Sequence, residues 1–282
     1  MTDQAPRNAE DFCYRHPDRR SYVLCQRCLR TICPECQTPG AVGVTCPECM
    51  REQAKAQPAR VKRAARSFQA ANGTPVVTYT LLGLTSAVSL LAMVVPGITT
   101  WLMFYALWLY PQWTGVFQPW RLETVLLVHG GFLHLALNML ALWMIGRGLE
   151  PVLGRGRYLA LYLISGLGGS VGVALVAPDQ PVVGASGAIF GLLTALLVIG
   201  RHLGGDVRGI LVVLGINLVI GFLPGFEVAW QAHIGGAIVG ALVGFIYTRT
   251  RRPEQRRTQI VLLGAVVLGL LALLALPPVI YG

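Results

Sequence analysis

The chain has 282 residues, 54% of them hydrophobic and only 13% charged, with a formal net charge of +10. Soluble domains carry about a quarter charged residues, so an ordinary water-soluble globular enzyme is excluded. The 33 glycines and 17 prolines follow no period, which excludes collagen-like and low-complexity chains as well. The positive balance would indicate nucleic acid or anionic lipid only if the basic residues shared one surface.

The opening segment, MTDQAPRNAEDF, has no apolar core and is not expected to act as a cleavable signal peptide. All seven cysteines then fall between Cys13 and Cys49. With His16 they form four pairs, each with two intervening residues: Cys13/His16, Cys25/Cys28, Cys33/Cys36 and Cys46/Cys49. Eight such ligands suffice for two tetrahedral metal sites, one of three cysteines and a histidine and one of four cysteines. A disulfide framework is the competing reading, but the cysteine count is odd and the topology below places the segment in the reducing cytosol. Two structural zinc ions are therefore expected. Every ligand position is filled by protein, so the segment is read as a small interaction module with an unidentified cytoplasmic protein partner. Asp18, Glu35 and Glu48 are mixed among its arginines, which argues against nucleic acid. The ligand pattern resembles a B-box-type zinc finger, in which alternate pairs share a metal. That resemblance implies one ion on Cys13, His16, Cys33 and Cys36, and another on Cys25, Cys28, Cys46 and Cys49.

Residues 51–66 are polar, basic and Ala-rich, and read as a linker or short juxtamembrane helix. From Val76 onward the chain is a series of long apolar runs without internal repeat. A bilayer core of ~30 Å needs about 20 apolar residues in helical form. Seven spans are expected on that ruler: 76–95, 122–146, 158–177, 184–200, 209–223, 230–248 and 259–280. The aromatic run Ile98–Tyr110 is too short to cross and suits the interface. Of the 23 Lys and Arg residues, 22 lie at 7–66, 147–157, 201–208 and 249–257. Seven crossings with the N-terminus inside put all of these on the cytoplasmic side, and only Arg121 outside. The charge is thus a topology signal and needs no nucleic acid.

Polar side chains within spans are costly and mark functional positions. The second run carries His129, His134 and Asn138; the fourth opens on GASG around Ser186; the sixth begins with His233. Measured from Arg147, Arg201 and Arg249 at 1.5 Å per residue, His134, Ser186 and His233 all lie roughly 20–24 Å above the inner boundary. Asn138, at i+4 from His134, shares its helix face. The glycine steps Gly187/Gly191 and Gly236/Gly240/Gly244 would let the fourth and sixth helices touch and bring Ser186 to His233. Imidazole is the usual base for a serine nucleophile. No carboxylate stands at the depth of His233, so a Ser–His dyad is expected. His134, Asn138 and the Ser186 backbone N–H are available to a developing oxyanion.

These residues resemble the rhomboid intramembrane serine proteases over about residues 76–250. The shared elements are Trp120–Arg121, His129, the HxxxN of His134 and Asn138, Gly146-x3-Glu150, GASG around Ser186, and His233-x2-Gly236-x3-Gly240. The resemblance implies Ser186 as nucleophile and His233 as base. It implies an oxyanion hole of His134, Asn138 and the Ser186 amide, with Gly184 and Gly187 leaving room for it. Phe190 would pack on His233, Ile98–Arg121 would form the first outer loop, and the fifth span with Pro224–Gly225 would be the lateral gate. The expected fold is an all-α polytopic membrane protein: a rhomboid-like six-helix bundle plus one C-terminal transmembrane helix, preceded by a small zinc-binding domain. The expected boundaries are 1–50 for the double finger, 51–75 for the linker, 76–250 for the protease core and 251–282 for a basic loop and seventh helix. The expected activity is cleavage of transmembrane protein substrates near their outer ends. A catalytically silent relative that escorts membrane proteins is the alternative, although such relatives usually lack the Ser or the His. A transporter leaves GASG unexplained, and a metalloprotease lacks HExxH. The location expected is a bacterial cell membrane, multi-pass, with the N-terminus cytoplasmic and the C-terminus outside.

Overall fold

The computed structural model of the protein describes residues 9–39, 43–56, 74–220 and 228–281. Two compact units emerge, Met1–Arg63 and Ala64–Gly282.

In the first unit, β1 (Phe12–Cys13) pairs antiparallel with β2 (His16–Arg20), and β3 (Thr38–Pro39) with β4 (Val44–Thr45). Helix α1 (Pro47–Ala56) starts inside the last cysteine pair and covers the beginning of the segment expected to be linker. The buried apolar core consists of six cysteines and one aliphatic side chain, Ile32. So small a core cannot offset the entropy of ordering the chain, and a fold of this kind needs staples.

The second unit is helical: α2 (Val76–Val94), α3 (Phe132–Leu153), α4 (Arg155–Val176), α5 (Ser186–His202), α6 (Arg208–Ile220), α7 (Trp230–Arg249) and α8 (Arg256–Leu273). It is a predominantly helical, polytopic architecture, as expected of a membrane protein. Among the described residues, five stretches are long and apolar enough to cross a bilayer: α2, α3, α4, α7 and Pro253–Tyr281. The fourth and fifth expected spans are shorter, with 17 residues in α5 and 13 in the described helix α6. At 1.5 Å per residue α5 reaches only about 25 Å, less than a bilayer core of ~30 Å. The expected second span, 122–146, is also corrected. Its apolar start folds as short helical turns at Arg121–Leu127, and the continuous helix begins only at Phe132, after Gly130 and Gly131. His129 therefore sits in a loop rather than in a helix.

Non-helical backbone at membrane depth is tolerated only when buried in protein with its polar groups paired. The loop before α5 meets that condition. Phe104 and Val182 exchange both backbone hydrogen bonds, and the Gly184 N–H donates to the Val125 carbonyl. The loop between α2 and α3 is held by Arg121, whose guanidinium donates to the carbonyls of Thr100 and Met103 and lies 4.2 Å over the Trp108 ring. Glu150 of α3 accepts from the backbone N–H groups of Val77 and Thr78, at 2.9 and 2.7 Å, and from the Thr78 hydroxyl. It thereby caps the start of α2, where four N–H groups have no intrahelical acceptor.

Helices α4, α5 and α7 form the centre, with Leu161, Leu192 and Val243 fully buried there. Large apolar residues such as Leu84 and Leu90 of α2, and Val261 and Leu268 of α8, remain exposed, as lipid-facing positions require. Helix α8 docks through polar groups at its ends. Gln259 accepts from Arg157 Nε at 2.8 Å and donates to the Thr250 carbonyl at 3.0 Å. Toward the other end, the Tyr110 hydroxyl donates to the Leu274 carbonyl at 3.0 Å.

Candidate active site and candidate metal sites

Ser186 is the first residue of α5, and His233 lies one turn into α7. Their placement follows from a seam of glycine. A Cβ added to Gly236 would run into the Gly187 backbone, one on Gly240 into that of Gly191, and one on Gly244 would stand 2.9 Å from Ala195 Cα. The α5 and α7 backbones are thus in direct contact along three successive turns. A second seam, which the sequence reading did not single out, joins α4 to α7: a Cβ on Gly169 would lie 3.1 Å from the Ala232 carbonyl, and one on Gly172 2.6 Å from that of Gln231. The run SGLGGSVG at 165–172 was its available signal.

Across the first seam, His233 Nε2 is 2.8 Å from Ser186 Oγ. The Phe190 ring, one turn below Ser186, stacks on His233 with centroids 4.1 Å apart and planes at 13°. His233 Nδ1 is buried and has no hydrogen-bond partner among the described residues. The imidazole is therefore oriented by an aromatic face rather than by a carboxylate.

His134 and Asn138 occupy one face of α3, and the Asn138 amide donates to the His134 carbonyl at 2.9 Å, leaving its second N–H. The His134 ring lies against Gly184, where an added Cβ would come within 2.9 Å of Nε2. Gly184 also has φ +120°, in the region that favours glycine, so this position excludes a side chain on two grounds. The N–H groups of the first turn of α5 lack intrahelical acceptors and carry the positive end of the helix dipole. Of the expected oxyanion donors, His134 thus lies beside Gly184, two residues before Ser186, with Asn138 one turn further along the same face of α3.

His129 packs edge-on against His134, with ring centroids 5.0 Å apart. Its Nε2 accepts from the Ala185 N–H at 3.3 Å, and its Nδ1 lies 2.9 Å from Ser89 Oγ. Ser89 donates to the Leu127 carbonyl at 2.8 Å, so its hydroxyl must accept from His129. His129 is therefore the neutral Nδ1–H tautomer, and it grips the residue before Ser186. Ser89 was not legible as part of the site, since a lone serine in an apolar run carries no signal. Beside His233 lies an apolar cavity of about 340 Å³, lined in part by Phe190, Leu211, Leu214, Gly215 and Ile238. Pro224–Gly225 and the side chain of Asn217 lie outside the described residues.

In the first unit the eight expected ligands fall into two groups of four. Cys13, His16, Cys33 and Cys36 form one, and Cys25, Cys28, Cys46 and Cys49 the other; the ligand atoms of each lie within 4.8 Å of one another and could hold a metal ion. None of the seven cysteines is in a disulfide. Arg30 Nε donates to Cys28 Sγ at 3.3 Å and draws that thiol below the ordinary range, toward the thiolate a metal requires. Arg19, 2.6 Å from Glu35, holds that carboxyl below its usual value.

Comparison with known proteins finds similarity confined to the second unit. Residues 116–250 match the family model described as the rhomboid domain. This match supports the rhomboid family. RHOMBOID-like protein 5 of Arabidopsis thaliana is 42% identical over 138 residues, covering 46% of this chain and 44% of that protein. Rhomboid protease GluP of Bacillus subtilis is 42% identical over 129 residues, covering 43% of this chain and 24% of that protein. RHOMBOID-like protein 4 of Arabidopsis thaliana is 41% identical over 136 residues, covering 46% and 34%. The chain spans less than half the length of each of these relatives. Ser186, His233, His134, Asn138 and His129 all fall within the rhomboid match, whereas the cysteine groups and α8 lie outside it.

Proposed function

We propose that the second unit is an intramembrane serine endopeptidase that cleaves transmembrane segments of membrane proteins. The observation that carries this reading is the 2.8 Å contact between Ser186 Oγ and His233 Nε2 at the start of α5. In this mechanism His233 Nε2 accepts the Ser186 proton as Oγ attacks the scissile carbonyl carbon. The negative charge passes to the carbonyl oxygen, which takes hydrogen bonds from the Ser186 N–H, His134 and the free N–H of Asn138. His233 then returns its proton to the leaving amine, and the amide C–N bond breaks. Water, deprotonated by the same imidazole, releases the acyl group and restores the serine. His129 positions the Ser186 turn through Ala185 and does not touch the reacting atoms.

The placement of Lys and Arg supports a cell-membrane topology with the N-terminus cytoplasmic. The first unit is read as a B-box-like module with two structural zinc ions. A three-cysteine, one-histidine set and a four-cysteine set are both soft, tetrahedral-type donor groups, and their burial in so small a core fits a metal staple. When bound, zinc would hold the fold together; no step of the proteolysis passes through it.

The test uses a fluorophosphonate probe and a transmembrane substrate in proteoliposomes. Wild type should be labelled and should cleave; Ser186→Ala should lose both, and His233→Ala should lose cleavage while remaining folded. Cleavage retained in both variants refutes the dyad, and an unlabelled, inactive wild type assigns the chain to the catalytically silent class.

A further inference from the structure

The first unit lies outside the apolar spans, yet one hairpin of it exposes apolar side chains in sequence. Tyr22 is 77% exposed, Leu29 70%, Leu24 48% and Val23 41%. The hairpin is well defined: Leu24 bridges Thr31, the Cys25 N–H donates to the Arg30 carbonyl, and the Ile32 N–H donates to the Val23 carbonyl. Leu29 adds an independent observation. Its φ is +59°, a left-handed conformation that favours glycine and costs energy for a side chain with a Cβ. A leucine therefore stands where backbone geometry disfavours it and where packing within the unit returns little.

The charge around these residues suggests what covers them. Arg19, Arg20, Arg27 and Arg30 all lie within this stretch, and residues 19–34 contain no Asp or Glu. Arg19 pairs with Glu35 across a solvent-exposed contact, and such pairs exchange partners at little cost; Arg27 and Arg30 pair with Glu52 and Glu48 and also donate to the Cys49 carbonyl and to Cys28 Sγ, which holds them at the hairpin. Arg20 has no carboxylate partner among the described residues and lies 5.6 Å over the Phe12 ring. Further along, Arg60, Lys62, Arg63 and Arg66 continue the basic character up to the first span. Tyrosine and leucine beside arginine are the side chains of a surface that inserts shallowly among anionic headgroups. The tether from Ala56 to Val76 keeps the unit within reach of the bilayer, since 20 residues extend at most about 70 Å. Intramolecular tethering makes a weak contact effective.

We propose that the Tyr22–Arg30 hairpin docks on the anionic lipid surface of the membrane that holds the second unit. Tyr22, Leu24 and Leu29 enter the headgroup layer while the arginines contact lipid phosphates. The proposal is independent of the proteolytic reading, because it concerns residues outside the rhomboid match and is read without any substrate.

The test is amide hydrogen exchange of the full chain in two kinds of nanodisc, phosphatidylcholine alone and phosphatidylcholine enriched in phosphatidylglycerol. Exchange across residues 20–31 should slow by roughly tenfold or more in the anionic discs, and high salt should reduce the effect. The double variant Tyr22→Ser, Leu29→Ser should lose the protection. Both side chains are exposed, so an unchanged metal-to-protein ratio verifies that the unit still folds. Equal exchange in the two lipids, or protection that persists in the double variant, overturns the proposal and leaves the hairpin to a protein partner.

Discussion

Replacing Gly240 with alanine probes how the proposed Ser186–His233 dyad is held. A Cβ at this position would stand 2.5 Å from the Gly191 carbonyl carbon, in backbone rather than in a movable side chain. Carbon atoms pack at about 3.5–4.0 Å, so α5 and α7 must part by about 1 Å at this level. His233 lies seven residues away on the same helix. Even half of that displacement, passed along a rigid helix, stretches the 2.8 Å contact to Ser186 past the range of a good hydrogen bond. Overpacking of this kind costs about 1–3 kcal/mol of stability, and a misplacement near 1 Å costs about 100-fold in rate. The assay is kcat for a fluorogenic transmembrane substrate in proteoliposomes, alongside thermal unfolding in detergent. Gly264→Ala is the control, because a Cβ there meets nothing within 4 Å. A Gly240→Ala enzyme as fast and as stable as wild type, or a Gly264→Ala enzyme equally damaged, would refute the argument.

Other consequences are as direct. Glu150→Ala strands two N–H groups at the start of α2 and should cost about 2–4 kcal/mol in thermal or denaturant unfolding. His129→Phe keeps an aromatic ring but removes the acceptor for the Ala185 N–H; kcat should fall roughly 10- to 100-fold with KM little changed, as expected for loss of nucleophile positioning. Stripping metal with a membrane-permeant chelator should unfold the first unit, seen as loss of exchange protection at residues 12–49, while substrate cleavage continues. Complete inhibition by the chelator would instead tie the cysteine groups to activity.

What the sequence made legible was what depends on local composition or on simple depth. Apolar runs marked the helices, and counting residues from Arg147, Arg201 and Arg249 placed His134, Ser186 and His233 at one level. Pairs spaced by two residues marked the eight residues that gather into two groups able to hold a metal ion. The failures have a common physical origin in non-local pairing. The run from Leu122 to Val128 is apolar enough to pass for a span, but Gly130–Gly131 break it, and its Leu122, Val125 and Leu127 carbonyls accept from Ser170, Gly184 and Ser89. The Phe104–Val182 bridge joins residues 78 positions apart and leaves no periodic trace. The Ser89–His129 pair is hidden likewise, because its meaning comes only from what Leu127 and Ala185 present to it.

The seam of glycine between α5 and α7 also bears on how such an enzyme could diversify. Where backbone meets backbone there is no side chain left to vary, so mutation at the seam offers selection little except damage. Under the proposed activity, variation in substrate choice has to come from positions that still carry a side chain, such as Leu211 and Leu214 of α6, which face the cavity beside His233. A directed-evolution library would therefore be best spent on α6, with every glycine of α5 and α7 held constant.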